Sequence, residues 1–212
     1  MSGESLREAL ETGLSGLAGV DLGPAQQSML LSYLALLEHW NKAYNLTAVK
    51  TAADMISRHL LDSLSIAPLI KGTRLLDAGS GAGLPGIPLA IAQPGLEVTL
   101  LDSSGKKVRF LRHVRRQLGL ENIHPVQERL ESFSASVPFD GIVSRAFSDL
   151  ASFVRAARHL APAATRLYAM KGRRPESELR ALPEWVRVES VEKLAVPGLQ
   201  EDRHLVIMSL IA

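Results

Sequence analysis

Cysteine is missing from all 212 residues, which excludes disulfides, thiolate metal sites and cysteine nucleophiles. That absence suits a reducing cytoplasm, the compartment expected for this chain. The apolar segment of a signal peptide is missing too, because Glu4, Arg7, Glu8 and Glu11 fall within the first dozen residues. The longest run without charge, Ala78 to Leu96, holds five glycines and three prolines. It therefore reads as a loop and not as a membrane span. A soluble, unexported protein with no membrane partner is expected. Internal repeats and low-complexity segments are lacking as well.

What is present points to one α/β domain of about 150 residues with a smaller appendage, since 46% of the residues are hydrophobic. The formal charge of +2 hides an asymmetry. Residues 1–70 carry 4 basic and 7 acidic side chains, a net of −3, whereas residues 71–212 carry 20 and 15, a net of +5. The expected division is an N-terminal helical region, 1–70, and a basic ligand-binding domain, 71–212, closed into one compact unit and acting as a monomer.

The chain is organised around Leu75 to Leu89, LLDAGSGAGLPGIPL. An apolar strand running into glycines at alternate positions lets the backbone turn tightly and approach a ligand. Pro85 suits the first turn of a helix. Strand, glycine loop and helix N-terminus together form a nucleotide-type site. Gly81 to Gly86 also matches the dinucleotide pattern G-x-G-x-x-G, which alone does not distinguish cofactors. Asp77, two residues before Gly79, completes D-x-G-x-G-x-G, the form used with S-adenosylmethionine (SAM). A carboxylate there can face the ammonium group of a methionine tail, whereas it would repel a pyrophosphate. SAM is the expected cofactor, and no metal site is expected.

Taken in order, helices are expected at Leu6–Leu17, from Pro24 through Trp40, and after Thr51, whose spacing to Asp54 resembles a capping box. Trp40-Asn41-Lys42-Ala43-Tyr44-Asn45-Leu46-Thr47 is dense in hydrogen-bonding groups; structurally it reads as a helix stop, with Asn45 as a left-handed cap and Trp40 in the core. His59 and Asp62, three apart, read as a hydrogen-bond or ion-pair cluster. From Arg74 onward strands and helices alternate, which implies a parallel sheet. Strands are expected at Arg74–Ala78, Glu97–Leu101, Ile123–Gln127, Gly141–Ser144, Thr165–Met170, Val186–Lys193 and His204–Leu210. Helices are expected at Pro85–Ala92, Ser104–Leu118, Leu130–Phe133, Asp149–His159 and Pro175–Leu182. The last two strands should form an antiparallel hairpin through Pro197-Gly198. Five parallel strands followed by such a hairpin resemble the Rossmann-like, seven-stranded fold of class I SAM-dependent methyltransferases, here with an N-terminal helical extension.

In that topology Asp102, at the end of the second strand, can accept hydrogen bonds from both ribose hydroxyls, with a helix N-cap as its structural alternative. The adenine would meet Glu128 or Glu131, between which spacing does not choose, and Leu130 would pack on its ring. After the fourth strand, Ser144-Arg145-Ala146-Phe147 stands where exocyclic-amine methyltransferases place an Asn- or Asp-Pro-Pro-aromatic tetrapeptide. With cysteine chemistry also excluded, the acceptor is expected to be a ring nitrogen with a free lone pair. Catalysis is then positioning, with no general base and so no catalytic side chain.

Basic residues cluster on the third segment that matters. Six of the eleven residues from Lys106 to Arg116 are Lys or Arg, with Val108, Leu111, Val114 and Leu118 forming the apolar stripe of the same helix. Lys171-Gly172-Arg173-Arg174 adds a second cluster. Lys106, Arg109, Arg112, Lys171 and Arg173 of these clusters are candidate RNA contacts.

Trp40 to Thr47, Arg58-His59-Leu60-Leu61-Asp62-Ser63, Asp77 to Leu89, Asp102-Ser103 with Lys106, and Ser144-Arg145-Ala146 together resemble the bacterial small-subunit rRNA guanine-N7 methyltransferase G family, once called glucose-inhibited division protein B. The resemblance runs from the second helix to the last strand, and residues 1–20, which match none of its motifs, read as an extension. It implies SAM-dependent methylation of N7 on one guanine of 16S rRNA near the decoding site, a methyl group whose loss is associated with low-level streptomycin resistance. It implies cofactor contacts at Gly79, Leu84, Leu130 with Glu131, and Arg145, to which the glycine-loop motif adds Asp77, Gly81 and Asp102. The resemblance also adds Asn45 and Arg58 to the candidate RNA contacts. Two other functions compete: a nucleotide-dependent oxidoreductase using Gly81 to Gly86, and a non-catalytic RNA-binding module on the same fold.

Overall fold

Arg74–Ala78 (β1) becomes a central strand because both of its faces find apolar cover. Leu75 packs into one buried cluster and Leu76 into another, as the two-residue period of a strand requires. The computed structural model describes residues 3–145 and 147–211, so Ala146 of the Ser144-Arg145-Ala146 motif lies outside the described residues. The other strands are Glu97–Asp102 (β2), Ile123–Gln127 (β3), Gly141–Ser144 (β4), Arg166–Lys171 (β5), Val186–Leu194 (β6) and Arg203–Leu210 (β7). Their order is β3-β2-β1-β4-β5-β7-β6. Neighbours among β1 to β5 pair in parallel, and β7 runs antiparallel to both β5 and β6. The order reverses between β1 and β4, and that crevice is where open α/β sheets bind ligands.

One face of the sheet is covered by Gly86–Ala92 (α5) and Gly105–Leu118 (α6), against both of which Pro24–Tyr44 (α2) packs. Gly3–Ser15 (α1) lies on α2. After α2 come Ala52–Met55 (α3), a π-helical stretch Ile56–Leu61 and the single turn Asp62–Leu64 (α4). The other face carries Leu150–Ala157 (α7) and Glu176–Arg180 (α8). Leu10, Leu30, Tyr33 and Leu60 share one apolar cluster with Leu75, Ile87, Leu100 and Phe110. Helices of residues 1–70 are therefore built into the core of the sheet, α1 included.

Three local expectations change. Leu130–Phe133 is a turn, closed by Ser132 and Phe133 N–H groups on the Arg129 carbonyl at 3.1 and 3.0 Å. Serines at 132, 134 and 136 compete for the backbone, and a segment this short cannot repay helix nucleation. The helix after Thr51 starts as expected, Thr51 Oγ1 accepting the Asp54 N–H at 3.1 Å, but is interrupted by the π turn, a feature frequent at functional sites. Pro85 precedes α5 instead of opening it, and the Leu84-Pro85 peptide is cis. The β6–β7 hairpin forms as expected, with Pro197 and Gly198, the latter at φ 79°, inside its loop 195–202.

Candidate active site

Side-chain alternation along β1 puts Asp77 on the same face as Leu75, beneath α5. Its Oδ2 accepts the Gly86 N–H at 2.8 Å, while Oδ1 is buried with no partner among the described residues. Burial pushes this carboxyl up to about 7, against the opposing pull of the Gly86 hydrogen bond and of Arg145. Above it the loop turns through Gly79, Gly81 and Gly83 at φ 76°, 58° and 92°. A Cβ on Gly83 would run into the Ile87 side chain, so this corner admits only glycine.

Asp102, at the end of β2, joins the loop to α6. Its Oδ1 accepts the Ser104 N–H at 2.8 Å and its Oδ2 accepts the Gly81 N–H at 2.9 Å, with Lys107 Nζ 3.3 Å from Oδ2. A cavity of about 290 Å³ opens beside it, lined by Gly79, Leu101, Asp102, Glu128, Leu130, Glu131 and Phe147 among others. Carboxylates beside an apolar wall suit a nucleoside, whose hydroxyl and amino groups donate and whose ring packs. The residues present thus fit the adenosine part of SAM. Glu128 and Glu131 both line the cavity, so the choice between them stays open.

Of the candidate cofactor residues, Gly79, Asp102, Leu130 and Glu131 meet in this cavity. Gly81 takes part through its N–H on Asp102. Leu84 is buried in the core below the loop, and Asp77 is fully buried under α5. Arg145 lines a different cavity.

That second cavity, about 360 Å³, lies over the ends of β5 and β7, across β4 from the first. Its floor is an ion cluster around the buried carboxylate of Asp62. Arg145 Nη1 donates to Asp62 Oδ2 at 3.0 Å and to the Arg58 carbonyl at 3.3 Å, and Arg203 Nε donates to Asp62 Oδ1 at 3.1 Å. Burial pushes the Asp62 carboxyl up, opposed by the two guanidinium groups. His59 is also buried, and its pKa falls to about 4 because desolvation disfavours the imidazolium. The neutral ring donates from Nδ1 to the Arg58 carbonyl at 2.9 Å and accepts at Nε2 from the Thr47 hydroxyl at 2.8 Å. Thr47 in turn is held through its N–H by Asn41 Oδ1 at 2.9 Å. The Trp40–Thr47 and Arg58–Ser63 segments thus brace one wall of this cavity.

The candidate RNA contacts divide. Arg58 and Lys171 line the second cavity, paired with Glu201 at 2.6 Å and Glu178 at 2.7 Å. Arg109 and Arg112 line a third, of about 490 Å³, with Trp40, His113, Arg115 and Arg116. Lys106, Arg173 and Asn45 are exposed and line none of the three. Asn45 caps α2 in the left-handed region, φ 49°, as its structural reading requires.

Residues 26–206 match the family described as rRNA small subunit methyltransferase G. The chain belongs to that family. Relatives named ribosomal RNA small subunit methyltransferase G include one from Pseudomonas syringae pv. syringae, 54% identical over 201 residues, covering 95% of this chain and 94% of its own. Another, from Salmonella arizonae, is 53% identical over 191 residues, 90% of this chain and 92% of its own. Among solved structures, a SAM-dependent methyltransferase from Aquifex aeolicus superposes with a TM-score of 0.52 at 20% identity, over 69% of this chain and 87% of its own. Family membership sets the oxidoreductase reading aside.

The family's motifs mark the first cavity well and the second only in part. Arg203 and His204 line the second cavity but sit in a strand with no motif of its own. Their only signal is tertiary: β7 inserts beside β5, bringing them within reach of Asp62 and Gly172.

Proposed function

We propose that this chain transfers a methyl group from SAM to N7 of one guanine in 16S rRNA, near the decoding site of the small ribosomal subunit. The observation that carries the reading is the pair of cavities flanking the end of β4 in a chain of this family. The first suits an adenosine moiety, and the second, basic and with room for a nucleobase, suits the acceptor. When bound, SAM supplies a methyl group on a positively charged sulfur.

Gly79 brings the backbone close to the cofactor, Asp102 faces the ribose, and Glu131 with Leu130 meets the adenine. Asp77 and Leu84 hold the loop from below, Gly81 through Asp102, and Arg145 stands between the two cavities. Guanine N7 has an in-plane lone pair and no proton. With SAM held in the first cavity, that lone pair would take the methyl group, the sulfur would keep the electron pair of the bond that breaks, and the positive charge would pass to the purine. No base is required, so the work of the protein is orientation and exclusion of water. Lys106, Arg109, Arg112, Lys171, Arg173, Asn45 and Arg58 contact the RNA, most of them by neutralising phosphate. The enzyme acts as a cytoplasmic monomer without metal, its helical 1–70 region and its 71–212 domain forming one compact unit.

The test is incubation with labelled SAM and small subunits from cells lacking the enzyme, followed by mapping of the methylated base. A single N7-methylguanine in 16S rRNA is the expected result. Label on another atom or on no RNA overturns the reading.

A further inference from the structure

The second cavity is unusual in its hydrogen-bonding sense. Arg58, Arg145, Lys171 and Arg203 line it, and all four can only donate. Its carboxylate, Asp62, has one oxygen on Arg145 and the other on Arg203. Both ring nitrogens of His59 are engaged, on the Arg58 carbonyl and on Thr47.

His204 is different. It is 5% exposed, lines the same cavity, and its Nδ1 lies 3.0 Å from the Gly172 carbonyl. A carbonyl only accepts, so in the neutral ring Nδ1 carries the proton and Nε2 carries the lone pair. Nε2 has no partner among the described residues, and it is not sealed away as the buried Oδ1 of Asp77 is. It is therefore a fixed acceptor in a cavity of donors. The ring is held by its place in β7, where His204 pairs with Lys171 of β5 and Lys193 of β6.

We propose that His204 is the residue that selects guanine: its Nε2 accepts a hydrogen bond from the N1–H and 2-amino edge of the target base, while O6 faces the cationic donors. The proposal rests on the guanine-N7 reading above. Guanine presents donors at N1 and N2 and an acceptor at O6, complementary to one acceptor among donors. Adenine presents a lone pair at N1, which meets the lone pair of Nε2, and an amino group at C6, which meets the cations. Both bases have N7, so the reacting atom cannot discriminate between them. Recognition through the N1 and N2 edge also leaves N7 uncovered for the methyl group.

The experiment uses the full chain, labelled SAM, and small subunits reconstituted with 16S rRNA carrying guanine or adenine at the target position. The wild-type enzyme is expected to favour guanine by about 1,000-fold or more in kcat/KM, as sites built to pair with a substrate N–H do. His204→Leu, which removes the acceptor, is expected to lower the guanine rate by about 10- to 100-fold and to narrow the guanine-to-adenine ratio, with SAM affinity unchanged. His204→Gln, whose Oε1 can accept, is expected to recover most of the rate and the ratio. A His204→Leu enzyme that binds SAM and keeps the wild-type ratio overturns the proposal. So does equal failure of the Leu and Gln variants, which would make the role one of packing. A wild-type enzyme that leaves the guanine unmethylated overturns the underlying reading instead, and shows this before any variant is compared.

Discussion

Asp77 and His59 are both buried, and their pKa values move in opposite directions, so stability depends on pH in two ways. Asp77 rises to about 7 in the folded chain from about 3.9 in an unfolded one. Its protonated form is favoured by the fold, so its contribution is full below pH about 4 and is lost as pH rises through about 7, up to about 4 kcal/mol in all. His59 falls to about 4 from about 6.5, so its contribution is present above pH 6.5 and is lost as pH falls through about 4. Between pH 4 and 6.5 the two slopes oppose each other; above 6.5 only the Asp77 loss continues. Urea titrations from pH 5 to 8 are expected to show stability falling toward pH 8, and Asp77→Asn, which still accepts from Gly86, should flatten that fall. Asp62 gives a second prediction. Removing it in Asp62→Ala strands Arg145 and Arg203, whose side chains are 29% and 20% exposed, so a cost of about 2–4 kcal/mol is expected in the same titration, below the full value for a buried pair because water reaches both cations.

The glycine loop is the element on which the first cavity depends, and its glycines are not equivalent. Gly83 combines φ 92° with a Cβ position occupied by Ile87, so Gly83→Ala is expected to cost about 1–3 kcal/mol and to weaken SAM binding. Gly81 has φ 58°, with only the Gly79 carbonyl near its Cβ position, at 3.8 Å. Gly81→Ala should cost about 1–2 kcal/mol, the price of the left-handed conformation alone. Thermal melts and calorimetric SAM titrations of the two variants check the order; equal losses would mean that collision with Ile87 is relieved. This element was readable because strand, glycines and helix start are contiguous. The pattern at 130–133 suggests a helix where the chain makes a turn, because apolar residues at 130 and 133 fit either state, and only the Arg129 carbonyl, taken by Ser132 and Phe133, separates them.

At the scale of the whole molecule, charge and topology act together. The basic stripe of α6 runs from Lys106, near the carboxyl edge of the sheet, to Arg116, about 15 Å along a helix, long enough to follow more than one phosphate. Arg109→Ala and Arg112→Ala are each expected to lower the salt slope of RNA binding by about 0.7–0.9, with SAM affinity unchanged; filter binding across a salt series measures both. By itself the sequence determined the seven strands to within a residue or two, the parallel sense of the first five, the glycine loop and the net positive charge of residues 71–212. These depend on short-range patterns: two-residue alternation, glycines where φ is positive, and a count of charges. Only the tertiary structure decided that α1 enters the core, that Asp77 turns under α5, and that Arg145 and Arg203 share Asp62. It also decided that His204 stands in one cavity with Arg58, Arg145, Lys171 and Arg203. Asp62 and Arg203 lie 141 positions apart, and their contact exists only because β7 inserts between β5 and β6, which no local period encodes.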